Sequence, residues 1–440
     1  MSSHVATPGV VLLGSDFKAL GVARSLGRRG IPIVVLDNVP RSAWFSRYVI
    51  KRVHWHGPLD GRPLVDLLLE LALRDHLEQW ILFPVQDDAV EFVARNTHAL
   101  TGLYRMATQD WNVIRWAADK RLTHRMAHQV GVPYPTTWYP TCEDDLKTMD
   151  IGFPAILKPA RSICFQHALR LKALPADTQE TLVGQYRLAA QMIDPDEIMV
   201  QEVIPGDGHA QFSVAAYSHE GRMLLAMSAR RTRQYPIDYG LSSTFVEAIE
   251  VPELFQPTER LLGILGISGM VEVEFKYDAR DGQYKLLDIN VRPWSWHTLC
   301  IASGLDFPYI HYCDLLGHPI PTAVPAYGYR WIRALTDIPA GWLEARAGIA
   351  SPWSYLRSLV GPTVFSVFDV RDPLPALGDI AVAFCRLARS HRTAGLQRAH
   401  HLLVGDGAVK RQSYPSEDKC ATQMPEYETD RMGLRGRPQQ

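Results

Sequence analysis

Residues 271–290 decide how this chain is read: Val271-Glu-Val-Glu-Phe275-Lys-Tyr-Asp-Ala-Arg280-Asp-Gly-Gln-Tyr-Lys285-Leu-Leu-Asp-Ile-Asn290. The first half alternates carboxylates with apolar residues, and a period of two puts Glu272 and Glu274 on one face of a strand. The second half returns as a strand with Asp288 and Asn290 on one face. A three-residue loop, Arg280-Asp281-Gly282, with glycine in the left-handed position, sets Ala279 opposite Gln283. The same register sets Glu274 opposite Asp288. Carboxylates directly opposed on a ladder repel, unless a cation lies between them. One Glu, one Asp and one Asn form a small set of hard oxygens, suited to Mg²⁺ shared with a nucleotide's phosphates. The alternative is a solvated sheet face with ordinary charges, and the hairpin alone does not separate the two.

Three other stretches stand upstream. Gly152-Phe-Pro-Ala-Ile-Leu-Lys158-Pro159 ends an apolar strand in a lysine held before proline. Alone it reads equally as a surface lysine snorkelling from a strand end. Ile198-Met-Val-Gln201-Glu202-Val-Ile204-Pro-Gly-Asp207 is a strand that breaks at polar residues. The break exposes backbone groups to a planar heterocycle, and Asp207 follows within reach of a ribose. Alone it reads as an edge strand and a turn. Asp119-Lys120 precedes both, and Asp288-x-Asn290-x-Arg292 follows.

Taken in order, these motifs resemble the ATP-grasp superfamily of carboxylate–amine ligases over about residues 8–320. The D-aspartate ligase-like branch is the most similar. It matches at Leu82-Phe-Pro-x-x-Asp87-x-Ala-Val-Glu-Phe, at Arg231-x-Arg233-Gln-Tyr-Pro, and at Tyr284-Lys-Leu-Leu-Asp-Ile-Asn-x-Arg-x-Trp-x-Trp-His297. The resemblance implies ATP as co-substrate, with Lys120 and Lys158 on its α- and β-phosphates. It implies Gln201, Glu202 and the Ile204 backbone on adenine and Asp207 on ribose. Glu274, Asp288 and Asn290 would hold one or two Mg²⁺. Arg292 would hold the transferred phosphoryl group or the acyl phosphate, and Arg231 and Arg233 the γ-phosphate side. Arginine suits that task because its fork bonds phosphate at two points. The implied reaction joins a small-molecule carboxylate, a small amino acid such as aspartate, to an amine. His297 and Glu272 are the candidates for the base that deprotonates the amine, with His297 read first as structural.

One departure is plain. Lys158 is followed by Pro-Ala-Arg-Ser-Ile-Cys-Phe-Gln-His, without the glycines many members carry over the phosphates. Arg161 and Ser162 are the side chains available there. Two rival readings remain. Gly14-Ser15 after a strand, with Asp37 downstream, imitates an NAD(P) fingerprint, but the required G-x-G-x-x-G is absent. Gly14-Ser15, Asp87 and Asp88 are otherwise expected in the substrate cleft, or as a turn and helix cap. A non-catalytic nucleotide-binding protein of the same fold is the other rival.

The rest of the chain is consistent with this. Its 440 residues carry 46 basic and 47 acidic side chains, a net charge of −1 that argues against nucleic acid as partner. Six cysteines without C-x-x-C spacing exclude a zinc ribbon and point to a reducing compartment, so a cytoplasmic location is expected. No apolar run approaches the roughly 20 residues of a membrane span. The expected fold class is α/β and α+β. Residues 1–115 form a parallel-sheet, Rossmann-like pre-ATP-grasp domain, and 116–324 the ATP-grasp domain with lobes at about 116–200 and 201–324. Residues 325–407 form a helical extension and 408–440 a disordered tail. Asp110–Val130 reads as one helical stretch and Pro133–Pro140 as a linker. A helix over 376–389 packs on its own domain, or docks a second copy, a partner or a membrane surface.

Overall fold

The computed structural model describes residues 7–161, 173–206, 208–236 and 242–385. Three sheets organise them. The first is parallel, with strands β1 (Val10–Leu13), β2 (Ile33–Asp37), β3 (Val49–His54), β4 (Ile81–Pro84) and β5 (Arg105–Met106) in the order β3-β2-β1-β4-β5. Its central strands are buried on both faces, which is why they read as unbroken apolar runs. The turn after β1 is tight. Gly14 has φ +107, and a Cβ there would lie 2.7 Å from Val85. Asp16 then caps the helix Phe17–Gly27 by accepting from the Lys18 and Ala19 amides.

The second sheet holds β6 (Thr137–Trp138), β7 (Ala155–Pro159), β8 (Leu174–Ala176) and β9 (Ile198–Glu202), antiparallel in the order β6-β9-β7-β8. The expected linker thus carries a short strand. The third sheet has seven strands: β10 (Gln211–His219), β11 (Arg222–Tyr235), β12 (Ser242–Ala248), β13 (Gly269–Asp278), β14 (Gln283–Asn290), β15 (Arg330–Ile332) and β16 (Thr363–Phe365). Their order is β14-β13-β10-β11-β12-β15-β16. Every pair is antiparallel except β15–β16.

Two departures from expectation matter for the site. The helical stretch 110–130 is two helices, Trp111–Ala118 and Lys120–Gln129. Asp119 between them is extended, with φ −106 and ψ 113, and its side chain accepts from the Arg121 amide as cap of the second helix. Strand β11 runs to Tyr235 rather than ending near Ala229, so Arg231 and Arg233 are strand residues.

Residues 325–383 do not stand apart. β15 and β16 extend the large sheet, and Trp331 of β15 is fully buried with Trp294 and Trp296 in a core that also contains β1 and the helix Phe17–Gly27. Further on, Asp372 is buried and accepts from Arg24 Nε at 3.0 Å, Ser46 Oγ at 2.8 Å and the Arg47 amide at 2.9 Å. The compact unit ends at Ala383, and only Phe384 and Cys385 of the next unit are described. Residues 374–385 are helical, and the rest of the expected 376–389 helix and tail lie outside the described residues. Among the described residues no helix is long and apolar enough to cross a membrane.

Candidate active site

The hairpin β13–β14 brings Glu274 opposite Asp288 and Glu272 opposite Asn290. It reaches that register by another route than expected. Asp278, not Ala279, pairs with Gln283, and a bulge at Leu287 restores the frame one residue later. The opposed carboxylates are each met by a cation. Glu274 Oε2 accepts from Arg231 Nη2 at 3.0 Å, and Asp288 Oδ2 accepts from Lys120 Nζ at 3.0 Å. Lys120 reaches in because the chain breaks at Asp119. Asn290 Nδ2 donates to Glu274 Oε1 at 2.9 Å and to Glu272 Oε2 at 3.0 Å.

Glu272 is almost wholly buried and also accepts from Trp296 Nε1 at 2.7 Å. Burial, with the nearby charge of Glu274, pushes its carboxyl up to about 8. Arg292 forks onto Asp87 at 2.6 and 2.9 Å and donates to Asn290 Oδ1 at 3.0 Å. Enclosure opposes the Asp87 charge, but Arg292 outweighs it and holds the carboxyl down at about 2. Asp87 is not the cap of its helix, Asp87–Arg95; Gln86 occupies that position.

Two adjoining clefts of about 950 and 940 Å³ surround this hairpin. Lys120, Arg231, Glu274 and Asp288 line both and form the wall between them. The first cleft adds Asp87, Glu91, Arg161, Glu272, Asn290 and Arg292. The second adds Lys158, Gln201, Glu202, Ile204, Gln211 and Lys276. In it Lys158 Nζ donates to Gln201 Oε1 at 2.8 Å, and Gln201 Nε2 donates to Thr137 Oγ1 at 3.1 Å. Glu202 accepts from the Thr136 amide at 2.8 Å and from Arg280 at 2.8 Å. The Ile204 carbonyl accepts from Lys276 Nζ at 2.8 Å.

Arg233 corrects an expectation. It lines neither cleft. The β11–β12 register shifts on both sides of it, and its buried guanidinium forks onto Asp337 at 2.9 and 2.8 Å between the rings of Phe245 and Tyr355. The structure thus places Arg233 apart from the clefts that gather the other expected site residues. His297 also lines neither cleft. It is buried, its Nδ1 bonds the Trp294 carbonyl at 2.9 Å, and burial lowers its pKa to about 4. The dinucleotide reading loses its acid, because buried Asp37 accepts from the Ser15 amide at 2.7 Å and Ser15 Oγ at 2.6 Å. Asp207 and Ser162 lie outside the described residues.

Sequence reasoning missed Lys276, although it continues the period-two face of Glu272 and Glu274. It noted Trp296 without giving it a task. Glu91 stood in the quoted Leu82–Phe92 motif without being given a task, and Gln211 carried no signal in the sequence alone.

Among the described residues no group of three or more His, Cys, Asp and Glu is arranged as a metal site. The expected set has two carboxylates and one amide, so it falls outside that pattern. Its oxygens are hard and its carboxylates face each other in register, each met by a cationic side chain. The residues fit Mg²⁺ provided the Asn290 amide turns its oxygen inward.

No family model matches the chain. The D-aspartate ligase of Enterococcus faecium is 25% identical over 314 residues, covering 67% of this chain and 74% of that protein. The biotin carboxylase domain of Hydrogenobacter thermophilus 2-oxoglutarate carboxylase, solved with MgADP and bicarbonate, superposes with a TM-score of 0.58. It shares 16% identity over 73% of each chain. The L-amino acid ligase of Bacillus licheniformis gives a TM-score of 0.54 at 15% identity, over 70% of this chain and 74% of that one. The fold is thus the ATP-grasp fold of these solved structures. In sequence the chain is a homologue of D-aspartate ligase at 25% identity.

Proposed function

We propose that the protein is an ATP-dependent carboxylate–amine ligase that forms an amide through an acyl phosphate, with a small amino acid such as aspartate as the carboxylate. The observation that carries this reading is the shared wall. A phosphoryl group passing from a nucleotide in the second cleft to an acid in the first must cross Lys120, Arg231, Glu274 and Asp288. The names of the homologous D-aspartate ligase and the structurally similar L-amino acid ligase support the choice of acid.

Lys158 and Lys120 neutralise the α- and β-phosphates. Gln201, Glu202 and the Ile204 backbone border the adenine. Glu274, Asp288 and Asn290 would hold Mg²⁺, which would supply neutralisation of phosphate charge. Arg231 faces the γ-phosphate. A substrate carboxylate oxygen attacks the γ-phosphorus, the bond to the β-phosphate oxygen breaks, and ADP leaves. Arg292 binds the acyl phosphate and keeps it aligned. The amine nitrogen then attacks the acyl carbon, phosphate leaves, and Glu272 takes the amine proton, for which a raised carboxyl pKa is suited.

The test is release of ADP and phosphate from MgATP with pooled amino acids and amines, followed by mass spectrometry of the product. Amine-dependent release with an amide product is expected. ATP binding without any amine-dependent release would overturn the reading.

A further inference from the structure

Exposed large apolar side chains are concentrated in one segment. Thirteen fall between Leu335 and Ile380, against twelve among all the described residues before Leu335. They follow a pattern. In the helix Ala334–Arg346, Leu335, Ile338 and Trp342 recur at i, i+3 and i+7 and face water, with 59% of Trp342 exposed. A helix lying on its own domain carries polar residues there. In the helix Pro352–Ser358, Trp353 and Leu356 repeat the pattern, with 74% of Trp353 exposed. Leu374, Leu377 and Ile380 make a third stripe.

The stripes adjoin. Leu335 and Ile380 line one groove of about 570 Å³ with Phe365 and Phe368, and Tyr355 rests against Gly341 to join the first two helices. At about 150–250 Å² per aromatic side chain, the exposed parts of Trp342, Trp353, Phe365 and Phe368 offer on the order of 400 Å². Those four alone match the largest apolar patch of an ordinary monomer.

Charge selects the occupant. Four of the segment's five carboxylates pair with arginines: Asp337 with Arg233, Asp369 with Arg28, Asp372 with Arg24 and Asp379 with Arg333; the fifth is Glu344. Arg346 lies over the Trp342 ring. Arg346, Arg357 and Arg371 are exposed within the same segment. A second copy would set these cations against one another. A bilayer with anionic headgroups complements both features, taking apolar stripes into its acyl boundary and arginines at its surface. Exposed tryptophans suit the headgroup level. We propose that the face built by residues 335–380 docks the protein on an anionic lipid surface, lying on the bilayer without crossing it. This role is independent of the ligase reading.

The experiment is co-sedimentation of the full chain with vesicles of phosphatidylcholine alone, or of phosphatidylcholine with one-third phosphatidylglycerol. Binding to the anionic vesicles is expected to be at least about tenfold stronger, and to weaken as salt is raised. Trp342→Ser with Trp353→Ser should lower partitioning about tenfold without moving the melting curve, since both side chains are exposed. Wild type left in the supernatant with both vesicles overturns the proposal. So does a double variant that binds as wild type does. A dimer seen by sedimentation velocity, lost in the double variant and unaccompanied by vesicle binding, would assign the face to a second copy instead.

Discussion

Replacing Glu274 by glutamine separates a ligand-holding carboxylate from a structural one. Glutamate accepts from Arg231 at 3.0 Å and from Asn290 at 2.9 Å. Glutamine has one acceptor oxygen, so one of those donors meets an NH₂ group instead. An interior hydrogen bond to a charged group contributes about 1.5–3 kcal/mol. Against that loss, the charge facing Asp288 and raising Glu272 disappears. Unit charges a few ångströms apart near a protein surface interact by about 3–4 kcal/mol before salt screening. The two effects nearly offset, so the melting temperature without ligand should move by a few degrees at most. MgATP should behave differently. At a hundredfold excess over Kd it stabilises a binding-competent protein by about 2.7 kcal/mol. Glu274→Gln should lose most of that stabilisation and nearly all turnover. The assay is a melting curve of wild type and variant with and without MgATP. A collapse of the ligand-free variant would make Glu274 a folding residue, and undiminished stabilisation by MgATP would remove it from the metal set.

Asp87→Asn should lower kcat about tenfold and leave KM for ATP unchanged, because Asp87 aligns Arg292 in the acid cleft and touches no nucleotide; a selective rise in KM for ATP would contradict this. Asp337→Ala strands the buried Arg233 guanidinium and should cost about 3–5 kcal/mol in a denaturant titration, with ATP affinity of the folded fraction intact. Stability should also respond to pH through Glu272. Its folded carboxyl lies above the ordinary 4.5, so the contribution is full below pH 4.5 and lost as pH rises through about 8. Glu272→Gln should flatten the stability curve across that window, and an unchanged slope would show that Glu272 is not the group responsible.

The hairpin was legible because strand periodicity is strict: alternate residues share a face whatever the rest of the chain does. The opposed pair survived a wrong loop length only because the bulge at Leu287 compensated for it. Arg233 was misread for the same reason in reverse. Regular alternation puts it beside Arg231, and the shifted β11–β12 register sends it to Asp337, a residue more than a hundred positions away. The break at Asp119 was hidden inside a continuous helical pattern, although Asp before Lys120 is a capping residue. Asp37 looked like a ribose ligand because sequence shows an acid's spacing but not its hydrogen-bond partners. Nothing local announced β15 and β16, which are three residues each and owe their strand character to the edge they complete.

The anchoring of Asp372 on Arg24 and the β3 approach carries a consequence for how the protein is made. Arg24 is buried near the start of the chain, and its counter-charge is synthesised some 350 residues later. In the folded chain the cation on the first helix is matched by a carboxylate from far outside the first sheet. The first sheet thus depends on a residue at the far end of the compact unit, and shortening the chain at residue 324 should yield a polypeptide that stays associated with chaperones.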